Sequence, residues 1–166
     1  MATGSNQRGR TLDLFDRKIL AALAEDGRAT LAEIAQRVGL SQSPCWTRLR
    51  RLEEQGVIKG YAALIDHKAL GFTNIVFVEV TLDSHNEDRV AAFGAALVKL
   101  PEVLEAHLVT GDYDYLVKIA VSGTDHYESF LREKLYKIKG IRSSRSMFGL
   151  RSLKHVMSVD PMLVVD

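Results

Sequence analysis

Along the first 56 residues of this chain apolar side chains return every three or four positions, whereas from Ile75 they return at every second one. A single layer of one element type cannot satisfy both periods, so the switch predicts a helical part followed by a part built on a sheet. Between them "HKALGF" carries a turn glycine, which places a hinge at residues 67–72.

The helical part has readable ends. "TLDLFDRKILAALAEDGR" repeats Leu12, Phe15, Ile19 and Leu23, with Asp13 and Asp16 at its start and Gly27 past its end. "TLAEIAQRVG" sets Thr30 three residues before Glu33, so that each side chain can satisfy the other's free backbone N–H, and Gly39 stops it. Only "GLS" separates this helix from the next, capped by Ser41 and carrying Pro44 in its first turn, where a missing N–H costs nothing. Two helices joined by so tight a turn, with another packed across them, form a helix-turn-helix.

The outer face of the third helix decides what such a unit does. At about 100° per residue, Cys45, Leu49 and Leu52 fall inward, whereas Ser43, Thr47, Arg50, Arg51 and Glu54 fall outward, with Trp46 on the flank. Hydroxyls and guanidiniums at a helix start are what the major groove reads, and Arg can grip guanine through two hydrogen bonds. Gln42, Ser43, Trp46, Thr47, Arg48, Arg50 and Arg51 are the expected DNA-binding residues on this helix. Arg8 and Arg10, in a tail of residues 1–11 with no acid, are expected on phosphate. Net charge is only +1, so a polyanion must be met by this local patch rather than by the whole surface.

After Gly56, "VIKGYAALID" reads as short and β-rich. "IVFVEVTL" alternates Val76, Val78, Val80 and Leu82, and "NEDRVAAFGAALVKLP" is helical through Val90, Phe93, Leu97 and Leu100. "VLEAHLVTG" and "YDYLVKIAV" follow as strands, "TDHYESFLREKLYKIKG" as a helix through Tyr127, Phe130, Leu131, Leu135 and Ile138, and "IRSSRSMFGLRSLKHVMSV" as a last strand. The fold class is therefore α+β, with a ferredoxin-like βαββαβ order after the helical unit. The predicted organisation is a tail at 1–11, a winged helix-turn-helix at 12–66, the hinge, a sheet domain at 73–160, and a tail at 161–166.

The loop "TGDYDY" is the candidate small-molecule site of the sheet domain. Gly111 admits close backbone approach, Asp112 and Asp114 can meet an ammonium, and Tyr113 lies between them. Ser144 and Ser146 on the last strand could supply hydroxyls to a carboxylate. A plain strand-connecting turn uses the same residue types, so the composition is compatible with both. No phosphate-binding loop, nucleophile motif or metal-binding spacing occurs, and the lone Cys45 can form no internal disulfide. These absences point to a non-enzyme with no catalytic residues, no metal and no cofactor. No apolar run approaches the roughly 18 to 20 residues of a membrane span, and the first ten residues lack a signal-peptide core, so a cytoplasmic protein without membrane contact is expected.

Across residues 12 to 156 the "LDLFDRKILAALAEDGRATLAEIAQRVGLSQSPCWTRLRRLEEQGVIKGYAALID" block, "FVEVTL" and "HLVTGDYDYLVKI" together resemble the Lrp/AsnC (feast/famine) transcription regulators, especially their leucine-responsive branch. The resemblance implies a winged helix-turn-helix joined to an amino-acid-sensing domain that dimerises through its sheets and assembles further, commonly into octamers. It implies an amino-acid effector between sensing domains, leucine or another aliphatic one. Gly111, Asp112 and Asp114 would lie at that effector, with Ser144 and Ser146 where the family usually has Thr. The partners expected are double-stranded DNA, the effector and further copies of the chain. Two other readings are a haem-pathway decarboxylase-like enzyme on a similar two-domain plan and a non-specific architectural DNA-binding protein.

Overall fold

A computed structural model of the single chain describes residues 12–163. It forms two compact units, one of residues 12–64 together with 154–163, the other of residues 65–153. Arg8 and Arg10 lie outside the described residues.

The helical unit contains α1 (Leu14–Glu25), α2 (Leu31–Val38) and α3 (Gln42–Glu54). Capping sets where α1 and α2 begin. Asp13 accepts the Asp16 amide at 2.9 Å while Asp16 accepts the Asp13 amide, and Thr30 and Glu33 exchange the same pair of bonds at the start of α2. Gly39 ends α2 at φ 76°, a conformation costly for any residue with a Cβ, and Leu40 N–H turns back to the Ala35 carbonyl at 2.9 Å. Ile19, Ala22, Ile34, Ala35, Val38, Cys45 and Leu52 form the core between the three helices.

The segment after α3 forms no paired strand, contrary to the β-rich expectation for residues 57–66. Both Val57 and Ile58 direct their N–H groups to the Leu52 carbonyl, at 3.0 and 3.2 Å, and pack on the helical core. Their amides close the end of α3 instead of feeding a ladder. At the expected hinge, Phe72 N–H closes a turn onto the His67 carbonyl at 2.9 Å.

The sheet unit runs β1 (Asn74–Leu82), α4 (Glu87–Leu97), β2 (Val103–Leu108), β3 (Tyr115–Val121), α5 (Thr124–Glu133) and β4 (Ile141–Gly149). The strands are antiparallel in the order β2-β3-β1-β4, the ferredoxin-like arrangement. Val76, Val78, Val80 and Leu82 point to one face with Val117, Ile119 and Val121, and Phe93, Leu97, Tyr127 and Phe130 from the helices fill that face. Both helices therefore cover the same side.

Two boundaries depart from the sequence reading. α5 stops at Glu133 rather than running through Ile138; Lys134 leaves helical geometry at φ −122° and ψ −66°, and a 3₁₀ turn at Leu135–Lys137 keeps Leu135 buried. The Lys134 ammonium is thereby delivered to the buried Glu102 carboxylate. Burial, the largest single influence, pushes the Glu102 carboxyl up, but the Lys134 ammonium together with the Glu102 amide and His126 holds the group below the usual glutamate range. β4 ends at Gly149, opposite Ile75 near the start of β1, where no partner remains to extend the ladder.

Candidate functional site

Helix α3 presents its side chains unequally. Cys45 and Leu52 are fully buried, and burial raises the Cys45 thiol pKa, which makes it a core residue rather than a reactive one. Gln42, Ser43, Trp46, Thr47 and Arg50 are exposed on the other side. The Arg50 guanidinium sits 5.5 Å from the centre of the Trp46 ring and 3.6 Å from Glu54, one turn on. Its side chain is 56% exposed, so it projects as a cation braced on an aromatic plane. Thr47 donates its hydroxyl to the Ser43 carbonyl at 3.1 Å and keeps its oxygen available as an acceptor.

Arg48 and Arg51 are placed differently. Asp16, on α1, is 1% exposed, and it is the carboxylate on which both converge. Arg51 Nη2 donates to both Asp16 oxygens at 2.6 Å, and Arg48 Nη1 donates to Asp16 at 2.9 Å and to Asp13 at 2.5 Å. The Arg48 guanidinium also lies 5.5 Å from the Phe15 ring centre. The Asp16 amide, and after it Arg48, hold the Asp13 carboxyl below its usual range, while Asp13 and then Asp16 raise Arg48. The three arginines that the helical projection groups together thus split into one outward cation and two held by an acid on another helix. Sequence reading took Asp16 for a helix-start residue and missed this partnership. Its one sequence signal is an acid on α1 whose capping role leaves a carboxylate oxygen available for a second task.

At the other candidate site, the loop between β2 and β3, the two aspartates also divide. Gly111 has φ 127°, in the region that favours glycine, and Asp112 beside it is exposed. Asp114 faces inward. Its Oδ2 accepts the Leu82 N–H at 2.7 Å, its Oδ1 lies 3.0 Å from His85 Nε2, and its backbone N–H donates to the Val80 carbonyl at 2.9 Å. Asp114 therefore fastens the loop to the end of β1, with its side chain 15% exposed.

Of the two serines on β4, Ser144 shares a 3.0 Å hydroxyl bond with Tyr136, and Ser146 is hydrogen-bonded to Tyr127. Register puts Tyr115, Val80 and Ser144 in one row across β3, β1 and β4, so the Gly111–Asp114 loop and the start of β4 share one end of the sheet. A cleft of about 540 Å³ opens there, lined by Tyr136, Lys139, Arg142, Ser143 and Ser144 among others. No loop residue from 111 to 114 lines it, and Ser146 lies outside it, so the cleft and the loop remain separate within one chain. Among the described residues no cluster of His, Cys, Asp and Glu could hold a metal, and no helix is long and apolar enough to cross a membrane.

A helix-turn-helix with an outward Arg and Trp, joined in one chain to a βαββαβ domain, is the plan of a ligand-responsive DNA-binding regulator. Comparison with known proteins agrees for both units. Residues 12–59 match the family model for winged helix-turn-helix DNA-binding, and residues 75–159 match that for the Lrp/AsnC ligand binding domain. The chain is 42% identical over 154 residues to the leucine-responsive regulatory protein of Serratia marcescens, covering 93% of this chain and 94% of that protein, and 41% identical over the same length to that of Escherichia coli K12. A transcriptional regulator from Neisseria meningitidis, solved in complex with L-methionine, superposes with a TM-score of 0.85 at 36% identity, covering 90% of this chain and 96% of that one. The feast or famine regulatory protein of M. tuberculosis, also solved with L-methionine, gives 0.80 at 33% identity over 91% of this chain and 100% of that one. The chain belongs to the Lrp/AsnC family of transcription regulators, which join a helix-turn-helix DNA-binding domain to an amino-acid-binding domain. These relatives are regulators, and neither the decarboxylase nor the architectural reading has support among them.

Proposed function

We propose that this regulator reads its operator through Arg50, with Gln42, Ser43, Trp46 and Thr47 beside it, and steadies itself on phosphate through Arg8 and Arg10. We further propose that it is controlled by an aliphatic or thioether amino acid held between copies of the sheet domain. Leucine in the names of the relatives and methionine in two solved complexes support that class of side chain. The observation that carries the reading is the separation of complementary groups at one end of the sheet. Asp112 offers a free carboxylate to an ammonium, while Arg142, Lys139 and the Ser143 and Ser144 hydroxyls offer a cationic, donor-rich cleft to a carboxylate, and Asp112 does not line that cleft. A second copy can bring one chain's loop to the other's cleft.

The opposite face of the sheet supports assembly as well. Ile75, Phe77, Leu116 and Met147 share that face in register, interleaved with the Glu79–Arg145 and Glu105–Lys118 ion pairs. Apolar side chains set among paired charges suit a contact with a second copy of the chain. The reading is a dimer as the smallest stable unit, assembling further to an octamer, acting without catalysis in the cytoplasm.

The test is a thermal-shift titration of leucine and methionine, with light scattering, on wild type, Asp112→Asn and Arg142→Gln. Ligand at 100 times its Kd should add ~2.7 kcal/mol to wild type and far less to either variant. An undiminished response in Asp112→Asn removes the loop from the site, and a monomer at micromolar concentration removes the shared site altogether.

A further inference from the structure

We infer that Asp16 is a specificity-positioning residue: a buried acid on α1 that withholds Arg48 and Arg51 from phosphate, so that DNA is engaged by Arg50 and not by all three guanidiniums of α3. The inference rests on α3 being the reading helix. It adds that the sequence discrimination of that helix depends on a residue facing away from DNA.

The charge balance supports this. Asp13 and Asp16 carry two negative charges and Arg48 and Arg51 two positive ones, in a cluster joined by bonds of 2.5 to 2.9 Å. The cluster is neutral, and Arg50 is the one arginine of the three not held by an acid of α1; its partner is the exposed Glu54 of its own helix at 3.6 Å, a surface pair that a phosphate or base can displace at little cost. A guanidinium is not easily drawn from such a partner. Arg51 meets both oxygens of a carboxylate that is 1% exposed, and a phosphate that captured it would leave that buried anion to Arg48 and the Asp13 amide alone. Arg51 is nonetheless 47% exposed along its side chain, and Arg48 26%. Both would reach solvent and phosphate if the acid were absent.

Phosphate contacts raise affinity for every sequence alike, whereas base contacts discriminate. Two more mobile guanidiniums on α3 would favour the many non-specific complexes, in which the protein is free to shift along the backbone. The operator complex gains less, because Arg50 fixes its register. Asp16 also ties α3 to α1 at two points a turn apart, which sets the orientation at which Arg50 meets the groove. One carboxylate therefore lowers background binding and fixes docking together.

The experiment measures binding of the full-length protein to operator and to scrambled duplex across a range of salt. For wild type, Asp16→Asn, Arg51→Gln and the double variant it records the salt slope and the ratio of the two affinities. Asp16→Asn keeps the shape of the side chain and removes its charge. It should steepen the slope on scrambled DNA by ~0.9 for each arginine released, up to ~1.8, and lower the operator preference tenfold or more. Arg51→Gln alone should leave the slope on scrambled DNA at the wild-type value, and the double variant should recover about one half of the steepening. A wild-type slope and preference in Asp16→Asn, with only a lower melting temperature, would reduce Asp16 to a packing residue and overturn the inference. A shallower slope in Arg51→Gln would overturn it too, since Arg51 would then already touch phosphate; that arm reads out even if Asp16→Asn fails to fold. If wild type itself shows no operator preference while Arg51→Gln leaves the slope unchanged, the reading role of α3 fails and the withholding of Arg51 stands.

Discussion

The helical unit and the sheet unit meet the same problem, a small body with little interior, by different means. In the sheet unit, side chains from both strand layers and helices, among them Phe93, Phe130, Leu97, Ile119 and Leu135, form one continuous apolar layer. In the helical unit seven buried residues form the core, and a charged joint from Asp16 to Arg48 and Arg51 adds a second link between α1 and α3. Apolar packing falls off in proportion to the atoms removed, whereas a buried carboxylate depends on the groups that neutralise it. The difference teaches where each unit is vulnerable: the sheet unit to loss of volume, the helical unit to loss of charge or a cap.

Trp46 makes the comparison measurable. It is the sole tryptophan and lies on α3, so its fluorescence reports the helical unit while circular dichroism reports both. The largest effect is expected from Phe130→Ala, which removes a 1% exposed ring from the middle of the sheet core and should cost ~3 to 5 kcal/mol. In urea the dichroism midpoint should fall with the Trp46 midpoint nearly unmoved, and equal shifts in both signals would show that the units unfold as one.

A smaller loss is expected from Asp114→Ala, which leaves the Leu82 N–H without its acceptor and should destabilise the sheet unit by ~1 to 3 kcal/mol even with no amino acid present. This sharpens the contrast with Asp112, whose replacement should alter ligand response and leave the melting temperature of the ligand-free protein in place. Identical behaviour of the two variants would mean that the loop does not divide its labour. The smallest is Thr30→Ala, which deletes the cap bond to the Glu33 amide and should cost ~1 kcal/mol, seen by Trp46 and not by the sheet. A change below about 0.3 kcal/mol would show that solvent replaces this cap without loss.

Particular elements show how far the sequence could be read. The starts of α1 and α2 were legible because their caps are local: Asp13 with Asp16, and Thr30 with Glu33, are separated by three residues and need nothing else. The alternation of β1 was legible because one covered face imposes a period of two on burial. The early end of α5 and the end of β4 at Gly149 were not. The first accompanies a bond from Lys134 to Glu102, 32 residues away, and the second follows from where β1 begins.

The two candidate sites sort the same way. The sequence by itself determined the helix-turn-helix, the βαββαβ order and the residue types at the two candidate sites, because caps, turns and hydrophobic periods act over a few residues. Which of those residues are held by partners was decided only by tertiary structure. Arg48 and Arg51 meet Asp16 across 32 and 35 residues, and Asp114 meets Leu82 across 32. Such pairings depend on how helices and strands approach one another, which a periodicity along one element does not record.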